Sequence, residues 1–203
     1  CHAEDQLRAQ AGDAPFLIMQ SNGGVVSAEA AGQKPVTMLL SGPAAGVLGA
    51  TYMSNLAGHK DVLTLDVGGT STDVSLVEDL NPQLTTHSLI EHYPVKTPML
   101  DIATVGTGGG SLAWIDDYGN LKVGPKSAGA DPGPICYSRG GKKPTVTDAA
   151  LVLGRLPNAL VGGELALDID GARSAFADLG SSFNISAEEA AAGVFEIAAA
   201  NQV

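Results

Sequence analysis

With 203 residues, 44% of them hydrophobic and 16% charged, the chain has the composition of one large or two small globular domains rather than of a disordered polymer. Its formal net charge of −11 argues against nucleic acid or an anionic membrane as a partner, and an anionic ligand would need a local device such as converging backbone N–H groups or a metal ion. No apolar run approaches the ~20 residues of a membrane span, the start is not a signal peptide, and Cys1 and Cys136 form no disulfide framework, so a cytoplasmic protein is expected.

Residues 4–12 read as the end of a helix. Residues 16–19 form a short apolar strand, stopped at Ser21-Asn22-Gly23-Gly24, and residues 36–40 read as another. A helix is expected over 44–56, with Ser41 or Gly42 near its N-cap and Pro43 in its first turn. The free N–H groups at that helix start suit an anion. Equally, its small residues suit close packing of helix on strand.

Residues 62–66 and 73–78 are strands with Gly68-Gly69-Thr70-Ser71-Thr72 between them, which predicts a hairpin, and residues 85–92 are expected to add a third antiparallel strand. Residues 99–105 are apolar and lead into Gly106-Thr107-Gly108-Gly109-Gly110-Ser111. Residues 112–123 read as a second hairpin, turning at 116–120. The stretch 106–111 lacks the spacing of a dinucleotide fingerprint; it either approaches a ligand or turns beneath the hairpin at Trp114. Gly119 to Ser127 fails as a phosphate-binding P-loop because Pro125 separates Gly124 from Lys126.

Residues 124–144 are rich in Gly, Pro and Ser. They exceed the usual ~12–15 residues of a structureless loop, which points to a functional or surface-wrapping segment. Thr147 is expected to cap a helix over 148–155. A further helix over 171–179 should close with Gly180 in the left-handed conformation. Ser186 and Glu189 form a capping box, with Ala191, Val194 and Ala198 on one face of the helix that follows. That helix meets no stop signal before Val203, and the chain has no initiator Met; a truncated piece or a frayed terminus both account for this.

The most informative run is Asp66-Val67-Gly68-Gly69-Thr70-Ser71-Thr72-Asp73. Glycines let the backbone approach a phosphate and turn N–H groups toward it, hydroxyls add donors, and Asp66 can hold Mg²⁺ through water. Asp73 can do the same or fix the turn. An ordinary glycine-rich hairpin is the plain alternative. Cys136 reads as structural, since no His lies near it in sequence and only Arg139 offers a positive field. His2, His59, His87 and His92 have no metal-ligand spacing.

The hairpin resembles the phosphate loop of actin-like ATPases. Ser41-Gly42-Pro43-Ala44-Ala45-Gly46-Val47, the 66–73 run, Gly108-Gly109-Gly110-Ser111, the run from Ser127 to Pro134, and Thr145-Val146-Thr147-Asp148-Ala149, in that order, are similar to the hydantoinase A/5-oxoprolinase family. The likeness is strong over 16–160 and weaker elsewhere; Thr107 and Ser138 stand where many members have Ala and Gly. It implies an α/β fold, an actin-like ATPase (ribonuclease H-like) lobe with a mixed sheet and flanking helices. Residues 1–35 would end a preceding segment, and 36–203 would be a nucleotide-binding lobe truncated at its C-terminus. It further implies an ATP- and Mg²⁺-dependent hydrolase of cyclic amides such as hydantoin or 5-oxoproline.

On that reading Asp66 and Asp73 are catalytic, with Asp66 also the metal ligand. Gly68, Gly69, Thr70, Ser71, Thr72, Gly108, Gly109 and Gly110 hold the nucleotide. The missing remainder of the protein or a partner subunit would supply the second lobe, and the piece alone would be inactive and prone to self-association. A regulatory or chaperone-like nucleotide-binding module, or the ATP-using subunit of a ketone carboxylase, are the alternatives.

Overall fold

The computed structural model describes residues 6, 7, 9, 10, 12, 14–90 and 93–202. Cys1, His2, His92 and Val203, on which some of the expectations above rest, lie outside them. Gln6, Leu7, Ala9 and Gln10 are helical, as expected for the stretch 4–12. The fold is α/β and divides into two compact units. One comprises Cys1–Asp66 and Asp73–Ala103, the other Val67–Thr72 and Thr104–Val203. Among the described residues no helix is long and apolar enough to cross a membrane.

In the first unit, β1 (Leu17–Met19) pairs antiparallel with β2 (Val25–Ser27), turning through Gly23 at φ +85°. Ser27 caps the short α1 (Ala28–Gln33) by accepting from the Ala30 N–H. The strand expected over 36–40 is instead a 3₁₀ turn, Pro35–Met38. Pro35 presets the first turn, Thr37 Oγ1 donates to the Lys34 carbonyl at 2.9 Å, and the Ser21 N–H donates to the Thr37 carbonyl at 2.7 Å. Leu40 then takes a left-handed conformation, φ 59°, and α2 (Ser41–Leu56) starts at Ser41, three residues before the expected Ala44. Its buried Ala44 and Val47 meet Val77 and Leu100 in a small core.

β3 (Val62–Val67) and β4 (Thr72–Glu78) are neighbours in one sheet, joined by residues 68–71. So short a link can join only antiparallel strands. β5 (Asn81–Pro82) continues antiparallel to β4. The single third strand expected over 85–92 does not form. β6 (Leu84–Thr85) pairs with β9 (Met99–Leu100), while β7 (Ser88–Ile90) pairs with β8 (Tyr93–Val95). The break has a local cause: Thr85 Oγ1 accepts from the His87 N–H at 3.1 Å, a side-chain turn that competes with extended pairing. β10 (Ala103–Val105) follows where the chain leaves this unit.

The second unit carries the larger core. β11 (Ser111–Ile115) and β12 (Leu121–Ser127) form the expected hairpin. Asp116 closes its turn by accepting from the Tyr118 and Asn120 N–H groups at 3.0 and 2.8 Å. A 3₁₀ turn (Ile135–Tyr137) precedes α3 (Val146–Val152). Thr145, not Thr147, caps α3, in a capping box with Asp148. After a two-residue ladder of β13 (Ala159–Leu160) and β14 (Leu165–Ala166) come α4 (Ile169–Ser181) and α5 (Ala187–Ala200). Asp168 caps α4, and Ser186 with Glu189 caps α5 as expected.

The core of this unit joins Phe176, Leu151 and Val194 to Ala149, Ala172, Ala190, Ala191 and Ala198, so small side chains let the three helices approach closely. Gly180 lies inside α4 rather than closing it. A Cβ there would stand 2.7 Å from the Ile185 carbonyl, so close approach, not left-handed geometry, demands glycine.

Asp148 holds the long loop to this core. Its carboxylate is fully buried and accepts from the N–H groups of Ile135, Cys136 and Thr145 at 3.2, 2.8 and 2.9 Å and from Thr145 Oγ1 at 2.8 Å. Asp148→Ala would strand three N–H donors, each worth about 1–3 kcal/mol when unsatisfied and buried. It is expected to lower stability by about 3 kcal/mol or more in urea denaturation; an unchanged midpoint would show that the loop holds without this carboxylate.

Candidate functional site

Residues 68–71 form a loop whose shape is set from beneath by Gly108, Gly109 and Gly110, all within the second unit. The Gly68 N–H closes the loop on the Ser71 carbonyl at 2.8 Å. The Gly68 and Gly69 carbonyls accept from the N–H groups of Gly109 and Gly110 at 2.9 and 2.6 Å. The Gly108 N–H donates to Ser111 Oγ at 2.9 Å. With both carbonyls turned inward, the N–H groups of Gly69, Thr70 and Ser71 have no hydrogen bond among the described residues. Gly69 and Thr70 are exposed, and Ser71 is half-buried. The peptide groups that turn the Gly68 and Gly69 carbonyls inward point the N–H groups of Gly69 and Thr70 the other way, beside two hydroxyls, which suits an anion.

The glycines differ in what demands them. A Cβ at Gly108 would lie 2.6 Å from the Gly68 carbonyl oxygen, and one at Gly110 would lie 2.6 Å from that of Gly69. One at Gly69 would meet nothing within 4 Å. Gly108 and Gly110 are therefore required by the chain's own backbone. Gly69 is not, and its side of the loop is open.

A second layer fixes the support. Thr147 donates through its N–H and Oγ1 to the Gly109 carbonyl at 2.7 and 2.8 Å, and the Ala128 N–H donates to the Gly110 carbonyl at 2.8 Å. Thr72 is fully buried; its Oγ1 donates to the Thr107 carbonyl at 2.6 Å and accepts from Gln202 Nε2 at 2.8 Å. Nothing in the sequence pointed to Gln202. The motif from Thr145 to Ala149 was visible, but not that Thr147 reaches Gly109.

In the first unit, Asp66 and Asp73 share a cleft of about 190 Å³ with Pro43, Gly46 and Thr64. Asp66 Oδ2 approaches the open side of Gly46, where a Cβ would stand 3.3 Å away. Asp66 and Asp73 thus line one cleft beside the first turns of α2. Two hard oxygen donors suit Mg²⁺, which takes few carboxylates and keeps much of its water. Among the described residues no group of three or more His, Cys, Asp or Glu is arranged to hold a metal.

Cys136 is fully buried. Burial first, and then the Asp148 carboxylate, push its thiol far above the ordinary range. A thiol so held is unreactive, in keeping with a structural role.

The chain matches the hydantoinase/oxoprolinase family over residues 2–203. It is 40% identical over 188 residues to the caprolactamase α subunit of Pseudomonas jessenii, covering 90% of this chain and 27% of that one. It is 41% identical over 184 residues to 5-oxoprolinase 1 of Arabidopsis thaliana, covering 86% of this chain and 14% of that one. Among solved structures, a nucleotide-free acetone carboxylase, from work on ATP-dependent acetone carboxylation, superposes with a TM-score of 0.86 at 30% identity, over 96% of this chain and 28% of that one. The chain thus spans under a third of the length of these relatives.

Gly110→Ala is expected to destabilise the protein by about 1–3 kcal/mol, the usual range for forcing an atom into a packed position. Gly69→Ala should stay within about 0.5 kcal/mol of the parent, as exposed changes do. Urea titration of both separates them, and equal losses would contradict the inward-facing contact. Cys136 should stay unlabelled by iodoacetamide in the native chain and react once unfolded, as peptide mapping by mass spectrometry reads directly.

Proposed function

The chain belongs to the hydantoinase/oxoprolinase family, and we propose that it supplies a phosphate-binding loop to an ATP-dependent enzyme that activates a cyclic amide by phosphorylation. The observation that carries this reading is the run of unpaired N–H groups at Gly69, Thr70 and Ser71, beside a glycine that the chain's own packing does not require. Such N–H groups can follow charge on phosphate oxygens without reorganising, which is the main demand of phosphoryl transfer.

In the proposed reaction the amide oxygen attacks the terminal phosphorus of ATP and ADP leaves with the bridging electrons. Water then adds at the activated carbon, the ring C–N bond breaks with its electron pair and a proton going to nitrogen to leave an acyl phosphate, and a second water releases phosphate to give the open-chain amino acid. An unstrained lactam hydrolyses slowly, and phosphorylating its oxygen makes the carbonyl carbon a better electrophile. Gly69, Thr70 and Ser71 hold phosphate oxygens by N–H and hydroxyl donation. Thr72, pinned to Thr107, fixes the end of the loop, while Gly108, Gly109 and Gly110 act as its support, their N–H groups being spent within the chain. Asp66 and Asp73 would hold Mg²⁺ through water in their shared cleft, where the ion would supply positive charge.

Actin-like ATPases use two such loops, one from each lobe, so the second loop and most of the substrate pocket are proposed to lie in a longer protein or a partner subunit. The likeness to acetone carboxylase favours a second reading, in which the activated carbonyl is that of a ketone on its way to carboxylation. ATP turnover by the longer protein, measured with a lactam and with a ketone, decides between the two. Turnover indifferent to both would favour a regulatory nucleotide-binding module.

In the longer protein Gly69→Val is expected to abolish nucleotide binding by calorimetry while leaving the fold intact; unchanged affinity would remove the loop from the site. The 203-residue chain alone should turn over ATP at background. Losing two or three charge-assisted hydrogen bonds from a missing lobe costs roughly a thousandfold in affinity. Rates comparable to those of the longer protein would mean that one loop suffices.

A further inference from the structure

A groove in the second unit gathers positive charge in an acidic molecule. Its larger arm, about 460 Å³, is lined by Lys142 and Lys143 together with Leu112 and Ser127. Its smaller arm, about 210 Å³, is lined by Trp114, Pro125 and Lys126. Leu112 and Lys143 line both arms, so the two adjoin. The larger arm falls within the ~300–1,000 Å³ typical of small-ligand sites.

Three of the chain's 11 Lys and Arg residues converge here, in a protein of net charge −11. None of the three forms an ion pair among the described residues, although pairs form elsewhere at Lys60, Lys122 and Arg173. Asp131 is the one acidic residue on the groove's wall. The apolar wall is equally specific. Trp114 is the only tryptophan in the chain, is 42% exposed, and is held by its Nε1–H donating to the Gly124 carbonyl at 3.0 Å.

The groove is also built rather than incidental. A Cβ at Gly141 would collide with the Gly133 carbonyl oxygen, so the segment bearing Lys142 and Lys143 is seated directly on the loop opposite. Ser127, on the wall of the larger arm, approaches the Gly69 carbonyl to 3.5 Å and accepts from the Gly129 N–H at 3.0 Å.

We propose that this groove binds a small organic carboxylate, its charged end among Lys126, Lys142 and Lys143 and its apolar body against Leu112, Trp114 and Pro125. A bare inorganic anion would leave the apolar wall wet, and a neutral amide would leave the ammonium groups unused. A carboxylate with a hydrocarbon body uses both, since lysines act as point charges and their neighbours remove apolar area from water. The assignment does not depend on the nucleotide reading of residues 68–71.

Trp114 is itself the probe. Its selectively excited fluorescence is followed as the chain is titrated with cyclohexanecarboxylate, cyclohexanecarboxamide, inorganic phosphate and ATP, all without Mg²⁺. A saturable change is expected with the carboxylate, and a weaker response or none with the other three. In Lys126→Gln/Lys143→Gln, both exposed positions whose change should not disturb folding, the carboxylate should bind about fivefold more weakly or worse, as expected for exposed ion pairs. An equal response to the carboxamide, saturation by phosphate or ATP in place of the carboxylate, or undiminished binding by the double variant would each overturn the proposal. None of these results would bear on residues 68–71, whose test is nucleotide binding by the Gly69→Val variant.

Discussion

The constraint on which the second unit turns is the direct seating of one backbone on another. Gly109 and Gly110 donate to the carbonyls of Gly68 and Gly69, with no side chain between the two segments. A peptide group has two polar ends, and committing the carbonyls to the interior leaves the neighbouring N–H groups facing out. The outward N–H groups of Gly69 and Thr70 are therefore a consequence of packing on the loop's far side. They are in place before any ligand arrives, so binding need not reorganise them, and that kind of preorganisation is what gives backbone donors their effect on developing charge.

Two adjacent residues of α3 serve this seat differently. Thr147 reaches outward to the Gly109 carbonyl, while Asp148 turns inward to three N–H groups and a hydroxyl. The first turn of one short helix thus positions the support of the loop and also pins residues 135–136, which lead away from the lysine-lined groove. Buried carboxylates are costly unless their acceptor capacity is filled, and here four hydrogen bonds fill it. The alanine-rich core beneath lets α3, α4 and α5 pack closely enough to hold that turn still.

What the sequence made legible and what it hid divide along one physical line. The loop between β3 and β4, the hairpin of β11 with β12, and the capping box at Ser186 are local patterns, each closed by contacts a few residues apart, and each formed as read. Residues 36–40 looked like a strand by composition, yet Pro35 and a carbonyl captured by Ser21, sixteen residues earlier, make them a turn. The cap of α3 was misplaced by two residues because both Thr145 and Thr147 suit the role, and only the distant Gly109 claims Thr147. Gly180 was read for its conformation when the Ile185 carbonyl, in the loop before α5, decides it. That Asp66 and Asp73 line one cleft was not read from the sequence; strands joined by a tight turn keep their flanking residues close.

The distribution of charge constrains how such a molecule can recognise anything negative. A net charge of −11 repels anions at long range, but at physiological salt that repulsion fades over ~8 Å, so capture rests on what an anion meets on contact. The structure offers two kinds of contact, and they are not equivalent. Backbone N–H groups at residues 69–71 are fixed in direction and carry no rotamer entropy, which suits oxygens that must be held in one geometry while a bond is made. The lysines of the groove are mobile point charges on long stems, which suits an anion that needs only to be retained. Ser127 stands on the wall of the groove and within reach of the Gly69 carbonyl, so the rigid contact and the mobile one adjoin along a single residue.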